Sequence, residues 1–303
     1  MKVLIVGLGS IANKHIVSIL KLDPHAEIYA LRHNFNNITK EGVTDIYSIN
    51  EIPAHLDFII VSNPSSEHFK TVQLLIDLNV PLFIEKPLFI NLKGHQELLK
   101  EIARKNILTY VACNLRFHPI ITYLKEEFNK RKPLEYNVYC GSYLPDWRPN
   151  SDYRENYSAK KELGGGVHFD LIHEIDYTMY LLGNPLTVQS YQSKKSPLEI
   201  DSADVAHYVL EYEQSSVFIT LNYYRKTPKR AIELVWEDSV WYVDLLKNEI
   251  VSSGNEIIFS QPFNIVETYD LQMAYFLKCL ENKSVTMNDI EEGIKTLKIC
   301  LNE

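Results

Sequence analysis

The turn Gly7-Leu8-Gly9-Ser10-Ile11-Ala12 follows a short apolar run and opens a helical pattern, the placement that a dinucleotide-binding turn requires. Gly7 permits the tight bend, and Gly9 lets the backbone approach a pyrophosphate. The amides of Ser10, Ile11 and Ala12 lie at a helix N-terminus, where unpaired N–H groups and the helix dipole favour an anion. A glycine-rich turn that binds nothing is the competing reading, weakened by the strand pattern before it. Such a turn ordinarily continues, about 20 residues on, with an acidic residue for the adenine ribose hydroxyls. Here the second strand ends at Leu31-Arg32-His33-Asn34, without a carboxylate. Arg32 suits a 2′-phosphate, which favours NADP over NAD; a surface arginine, with the ribose held by other groups, is the alternative.

A second chemically dense stretch is Trp147-Arg148 with Tyr153-Arg154. Aromatic faces stack on sugar rings, and planar guanidinium groups clamp carboxylates or phosphates, so these four are candidate substrate contacts. The competing reading is a proline-rich loop with Arg148 and Arg154 paired to Asp146 and Asp152. His168, Asp170, His173 and Asp176 crowd into one helical stretch. Metal-binding helices usually use i,i+4 pairs, and no third ligand follows by spacing, so no metal site is expected.

Elements that position these residues are legible in the pattern. Short apolar runs at 3–6, 28–31, 58–61, 82–84 and 108–112 alternate with helical patterns at about 10–22, 65–79 and 91–105. This order predicts a Rossmann-type, doubly wound parallel α/β sheet over 1–118. From 119 to 303 an α+β domain is expected, with a large open, mostly antiparallel sheet. Its strands are read at 134–143, 186–193, 204–212, 216–225, 229–237 and 239–246, interrupted by a helix at 166–182 and closed by helices at 266–281 and 288–301. Alternating residues such as Phe218, Thr220, Asn222 and Tyr224 have no following helix to cover them, so a homodimer or homotetramer through this sheet is expected.

The net charge of −8 argues against a nucleic-acid partner, which needs concentrated Lys and Arg. Lys130-Arg131-Lys132 reads as a solvated helix end. No apolar stretch approaches the roughly 20 residues of a membrane span, and the start reads as a strand rather than a leader. Cys113, Cys140, Cys279 and Cys300 lack CxxC spacing, as expected for reduced packing cysteines of a cytoplasmic protein.

Phe83-Ile84-Glu85-Lys86-Pro87-Leu88, at the end of a later strand of the first sheet, resembles the Glu-Lys-Pro hallmark of the Gfo/Idh/MocA oxidoreductases. Three further stretches carry the same resemblance in order. Val61-Ser62-Asn63-Pro64-Ser65-Ser66-Glu67-His68 is similar to the family's loop near the nicotinamide. Asn114-Leu115-Arg116-Phe117-His118-Pro119 is similar to its domain-joining segment. Leu163-Gly164-Gly165-Gly166 through Asp170, His173 and Asp176 is similar to the entry of its catalytic helix.

The resemblance implies NAD(P)-dependent hydride transfer between the nicotinamide and a hydroxyl or keto carbon of a sugar-like substrate. It implies that Ser62, Asn63, Pro64, His68, Glu85 and Lys86 lie at the cofactor, and that Arg116 joins the loop residues at the substrate. Lys86 is then the polariser of the substrate oxygen, His173 the proton carrier and Asp170 the substrate-orienting partner. Asp170 and His173 are spaced DxxH where many members have DxxxH, which makes Asp170 the weaker assignment; Asp176 reads as a structural partner. The loop around Trp147 also resembles members associated with surface-sugar and nonulosonic-acid synthesis. Two other functions fit the same chain. One is a redox-neutral epimerase or glycosidase with a retained cofactor. The other is a non-catalytic dinucleotide-binding regulator, which predicts loss of the lysine or the histidine, yet both are present.

Overall fold

The computed structural model describes residues 1–33 and 40–303, so Asn34, the end of the stretch expected at the adenine ribose, lies outside the described residues. The chain divides into two compact units, Met1–Asn114 with Val266–Leu297, and Leu115–Ile265 with Lys298–Glu303.

In the first unit, β1 (Lys2–Val6), β2 (Glu27–Leu31), β3 (Val43–Ile46), β4 (Phe58–Val61), β5 (Leu82–Glu85) and β6 (Thr109–Ala112) form a six-stranded sheet in the order β3-β2-β1-β4-β5-β6. Every pairing is parallel. All residues of β4, β5 and β6 are buried, as continuous apolar runs covered on both faces must be. Helices α1 (Ser10–Leu22), α2 (His68–Leu75) and α3 (His95–Lys105) connect the strands. The buried stripe of α1 is Ala12, His15, Ile16 and Ile19, spaced three or four apart. Strand order reverses between β1 and β4, and that switch point is where open α/β sheets take ligands. β3 escaped the pattern reading because only Ile46 of its four residues is buried.

One expectation is corrected. The last helices, α7 (Glu267–Asn282) and α8 (Ile290–Leu301), were read as part of a domain running from 119 to 303. Residues 266–297 belong instead to the first unit. Phe276 packs edge-on against Phe58 and Phe83, each at 5.3 Å between ring centroids. Asn288 exchanges hydrogen bonds with the backbone of Val111, donating from Nδ2 at 2.9 Å and accepting at its carbonyl at 2.7 Å. The free edge of β6 is thereby closed.

In the second unit, an eight-stranded sheet runs β14-β13-β12-β11-β7-β10-β9-β8. Its strands are β7 (Glu135–Tyr143), β8 (Thr187–Ser193), β9 (Val205–Glu211), β10 (Ser216–Asn222), β11 (Tyr224–Val235), β12 (Val240–Asp244), β13 (Glu249–Ser252) and β14 (Ile257–Ser260). Only β7 and β10 pair in parallel. Inward residues such as Tyr136, Val138 and Cys140 alternate with outward Asn137 and Tyr139. Helix α4 (Pro119–Lys130) sets Phe128 edge-on against Tyr136 and Trp236. The opposite face leaves Tyr191, Phe218 and Tyr242 exposed. β13 and β14 were not foreseen. The helix expected over 166–182 breaks into α5 (Val167–Asp170) and α6 (His173–Leu182). The four cysteines are free and buried. Among the described residues no helix is long and apolar enough to cross a membrane, and no group of three His, Cys, Asp or Glu residues is placed to hold a metal ion.

Candidate active site

Gly7 has a φ of +85°, and a Cβ there would fall 2.7 Å from the Cα of Asn63. Glycine is therefore required where the ends of β1 and β4 meet. Ser62 fastens this contact by donating from Oγ to the carbonyls of Val6 (3.2 Å) and Gly7 (3.1 Å). A Cβ on Gly9, the N-cap of α1, would meet nothing within 4 Å. Open space in front of the first-turn amides of Ser10 and Ile11 fits the close approach of a pyrophosphate, while Ala12 is buried beneath them. A cavity of about 480 Å³ beside the turn is lined by Gly7, Leu8, Arg32, Asn63 and Pro64, with Tyr47, Ile49 and Leu74 supplying apolar surface. Four residues expected at the cofactor are thus brought together.

Arg32 does not present its charge alone. Its Nη1 donates to Asp45 Oδ2 at 2.8 Å, and both side chains are mostly buried. The carboxylate missing from the end of β2 comes from β3, whose register places Asp45 opposite Ala30.

Lys86 follows directly on β5, and its backbone N–H donates to Glu85 Oε2 at 3.1 Å. The other oxygen of Glu85 lies 2.6 Å from His15 Nε2, and both side chains are buried. On the far side of a cis Lys86–Pro87 peptide, His68 Nδ1 is 3.1 Å from the carbonyls of both Pro87 and Leu88, and its Nε2 is 2.9 Å from that of Asn63. Burial pushes the His68 pKa below the ordinary value, against the pull of these carbonyls. His68 and Glu85, expected at the cofactor, therefore clamp the loop that carries Lys86. His15 was not foreseen; its signal was a histidine on the buried stripe of α1, three residues after Ala12.

In the second unit, α5 follows Gly164 (φ +83°) and Gly166 (φ +134°) and ends at Asp170. Leu171 leaves the helical region with φ −103° and ψ 31°, and His173 begins α6. The DxxH spacing is thus accommodated by a break rather than by one helical face. The buried Asp170 carboxylate accepts from Tyr157 Oη at 2.7 Å and from Tyr223 Oη at 2.5 Å. Burial, and the negative charge of Asp170, hold both phenols above their ordinary pKa, so both remain donors. Trp147 packs edge-on against Tyr223 at 5.3 Å. The Arg148 guanidinium lies 5.6 Å from the Tyr157 ring centroid and donates to Asn156. Two tyrosines that sequence reasoning missed therefore join Trp147, Arg148 and Asp170.

Other candidates are engaged elsewhere. The buried guanidinium of Arg116, expected at the substrate, grips Asp176 through Nε (3.0 Å) and Nη2 (2.7 Å), and it lies over Tyr180. Arg154 pairs with Asp152 at 2.8 Å and Glu199 at 3.0 Å, while Tyr153 Oη accepts from the Glu199 backbone at 3.2 Å. These two tie their loop to the segment at 199. His168 is buried and its pKa is pushed down to about 4 by desolvation, so it carries no charge at neutral pH.

A parallel sheet in this order, with a glycine turn and a cavity at its switch point, is a dinucleotide-binding unit of the Rossmann type. Residues 1–113 match the model described as oxidoreductase family, NAD-binding Rossmann fold, and residues 135–239 match the GFO/IDH/MocA C-terminal domain. The chain belongs to the Gfo/Idh/MocA family of oxidoreductases. A scyllo-inositol 2-dehydrogenase (NAD(+)) of Bacillus subtilis is 22% identical over 315 residues, covering 96% of this chain and 89% of the relative. A UDP-N-acetylglucosamine 3-dehydrogenase of Acidithiobacillus ferrooxidans is 23% identical over 215 residues, covering 67% of this chain but only 60% of that relative. The WlbA dehydrogenase from Bordetella pertussis, solved in complex with NADH and UDP-GlcNAcA, shares the fold with a TM-score of 0.82 at 16% identity, over 99% of this chain and 93% of that one.

Proposed function

We propose that this chain transfers a hydride between a nicotinamide dinucleotide and a hydroxyl or keto carbon of a sugar derivative, with a nucleotide-linked sugar as the substrate class. The observation that carries the reading is the cavity that collects Gly7, Arg32, Asn63 and Pro64 at the switch point of a sheet whose next strand ends at Glu85, directly before Lys86. The bound dinucleotide supplies the hydride donor or acceptor. Lys86 holds the substrate oxygen with its ammonium, and His173 takes or returns that oxygen's proton. Asp170 fixes the Tyr157 phenol, and Trp147 and Arg148 form the sugar-facing wall beside it.

A cationic segment lies where the β7–β11 pairing shifts register between Tyr224 and Lys229, on the outward side of the sheet. Arg225 and Lys229 lie 5.1 and 5.2 Å from the Tyr139 ring centroid, and Lys226 lies 3.0 Å from that of Tyr143. Among the described residues none of these three cations is in an ion pair with a carboxylate. The names of the relatives, acting on inositol and on a UDP-sugar, and the likeness of the Trp147 loop support a role in surface-sugar synthesis. Buried free cysteines support a reducing, cytoplasmic setting.

Arg32 supports NADP as the preferred cofactor, tempered by its pairing with Asp45. The exposed face carrying Tyr191, Phe218 and Tyr242 supports a second copy of the chain packed on the sheet. The test is a panel of UDP-sugars, free sugars and inositols with NAD(+) and NADP(+), followed at the nicotinamide absorbance. Turnover confined to nucleotide-linked sugars is expected. Tightly retained cofactor without net turnover would reassign the chain to the redox-neutral enzymes, and binding of dinucleotide with no chemistry at all would make it a regulator.

A further inference from the structure

We propose that His15 is a positioning residue that couples the pyrophosphate-binding helix to Lys86, an assignment that rests on the proposed function. α1 begins at the phosphate turn, and His15 lies on its buried face with no exposed surface. Its Nε2 meets Glu85 Oε1 at 2.6 Å, and Glu85 Oε2 accepts the backbone N–H of Lys86 at 3.1 Å. A single carboxylate therefore bridges the helix and the lysine. Rings hold the imidazole from two sides, Phe83 at 4.9 Å and Tyr269 at 6.1 Å, both edge-on.

His15 Nδ1 is buried and has no hydrogen-bond partner among the described residues. The nitrogen facing the carboxylate is then the one that must carry hydrogen, and it is the ring's one polar contact among the described residues. A buried histidine held by one carboxylate has a single polar task, and a packing residue in this place would be served better by leucine.

α1 is also braced about one turn further along. Ser18 Oγ donates to Asp270 Oδ1 at 2.5 Å, and Lys21 Nζ meets Asp270 Oδ2 at 2.6 Å. A helix braced against α7 does not yield locally when an anion draws on its N-terminus. The displacement it does make is delivered through His15 to Glu85, and from there to the amide that sets where Lys86 leaves β5.

The coupling is read without a substrate. Hydrogen exchange of the segment 82–88 is measured by mass spectrometry, with and without saturating NADH or NADPH, in the wild type, His15→Leu and His15→Gln. In the wild type, cofactor is expected to slow exchange of this segment about tenfold or more. His15→Leu should bind cofactor, seen by nicotinamide fluorescence, yet lose that slowing. His15→Gln keeps a donor directed at Glu85 and should restore most of it. If His15→Leu does not fold, as judged by circular dichroism, His15→Asn, too short to reach Glu85, takes its place.

Slowing that persists in the folded leucine or asparagine variant overturns the proposal, as does a glutamine variant no better than leucine. A folded variant that no longer binds cofactor also overturns it, by placing His15 in the phosphate site itself. Cofactor binding by the wild type without slowed exchange of 82–88 overturns the coupling alone. A wild type that binds neither dinucleotide removes the function on which it rests.

Discussion

At the scale of single residues, the roles proposed for Lys86 and Arg32 lead to distinct outcomes. Lys86→Ala should leave NAD(P)H affinity within about threefold and lower kcat about a thousandfold, because it removes a group that acts on the reacting oxygen. Stopped-flow hydride transfer alongside fluorescence titration separates the two quantities. Arg32→Ala should weaken NADPH more than NADH. Asp45→Asn should do the reverse, since it releases the Arg32 guanidinium from the 2.8 Å ion pair and leaves its charge for a 2′-phosphate. Equal changes for the two cofactors in both variants would remove Arg32 from cofactor selection. The glycine turn and the Glu85-Lys86-Pro87 run were legible because each is a local string with a local geometric purpose. Asp45, His15, Tyr157 and Tyr223 were not, because their meaning lies in distant partners. His15 reaches Glu85 across 70 residues of chain, and Tyr223 reaches Asp170 across 53.

At the scale of elements, every strand of the parallel sheet except β3 was readable from its apolar run, while the break between α5 and α6 was not. Apolar periodicity through 166–182 is that of one helix. The break becomes intelligible only with the partners on either side of it, two tyrosines on Asp170 and an arginine on Glu174. Glu174 is fully buried and accepts from Arg230 Nε of β11 at 2.7 Å, which ties the start of α6 to the sheet. Glu174→Ala leaves the guanidinium without its counter-charge and should cost about 3–5 kcal/mol in urea unfolding. Glu174→Leu combined with Arg230→Met should recover most of that loss, and failure to recover would mean that the pair does more than hold α6.

At the scale of the whole molecule, buried histidines predict acid lability. His118 and His168 are both pushed down to about 4 by burial, His118 also by the charge of Arg230, against an ordinary value of 6.5. The folded state binds fewer protons than the unfolded one between these values. The stability these residues contribute is therefore complete above pH 6.5 and is lost as pH falls towards 4, at up to about 1.4 kcal/mol per pH unit for each group. Tm should be level between pH 7 and 8 and decline from 6.5 to 5, and His168→Phe should make that decline shallower. An unchanged slope in the variant would assign the acid response to other groups.

The return of residues 266–297 to the first unit bears on how the molecule is made. A chain leaving the ribosome reaches residue 114 with β4, β5 and β6 already synthesised, but Phe276 and Asn288, which cover and close them, arrive only after residues 115–265 of the second unit. The dinucleotide-binding half is thus begun first but completed only after the whole of 115–265 has been made. A fragment ending at 118 should accumulate as an exposed, chaperone-dependent intermediate rather than as a free-standing cofactor-binding domain.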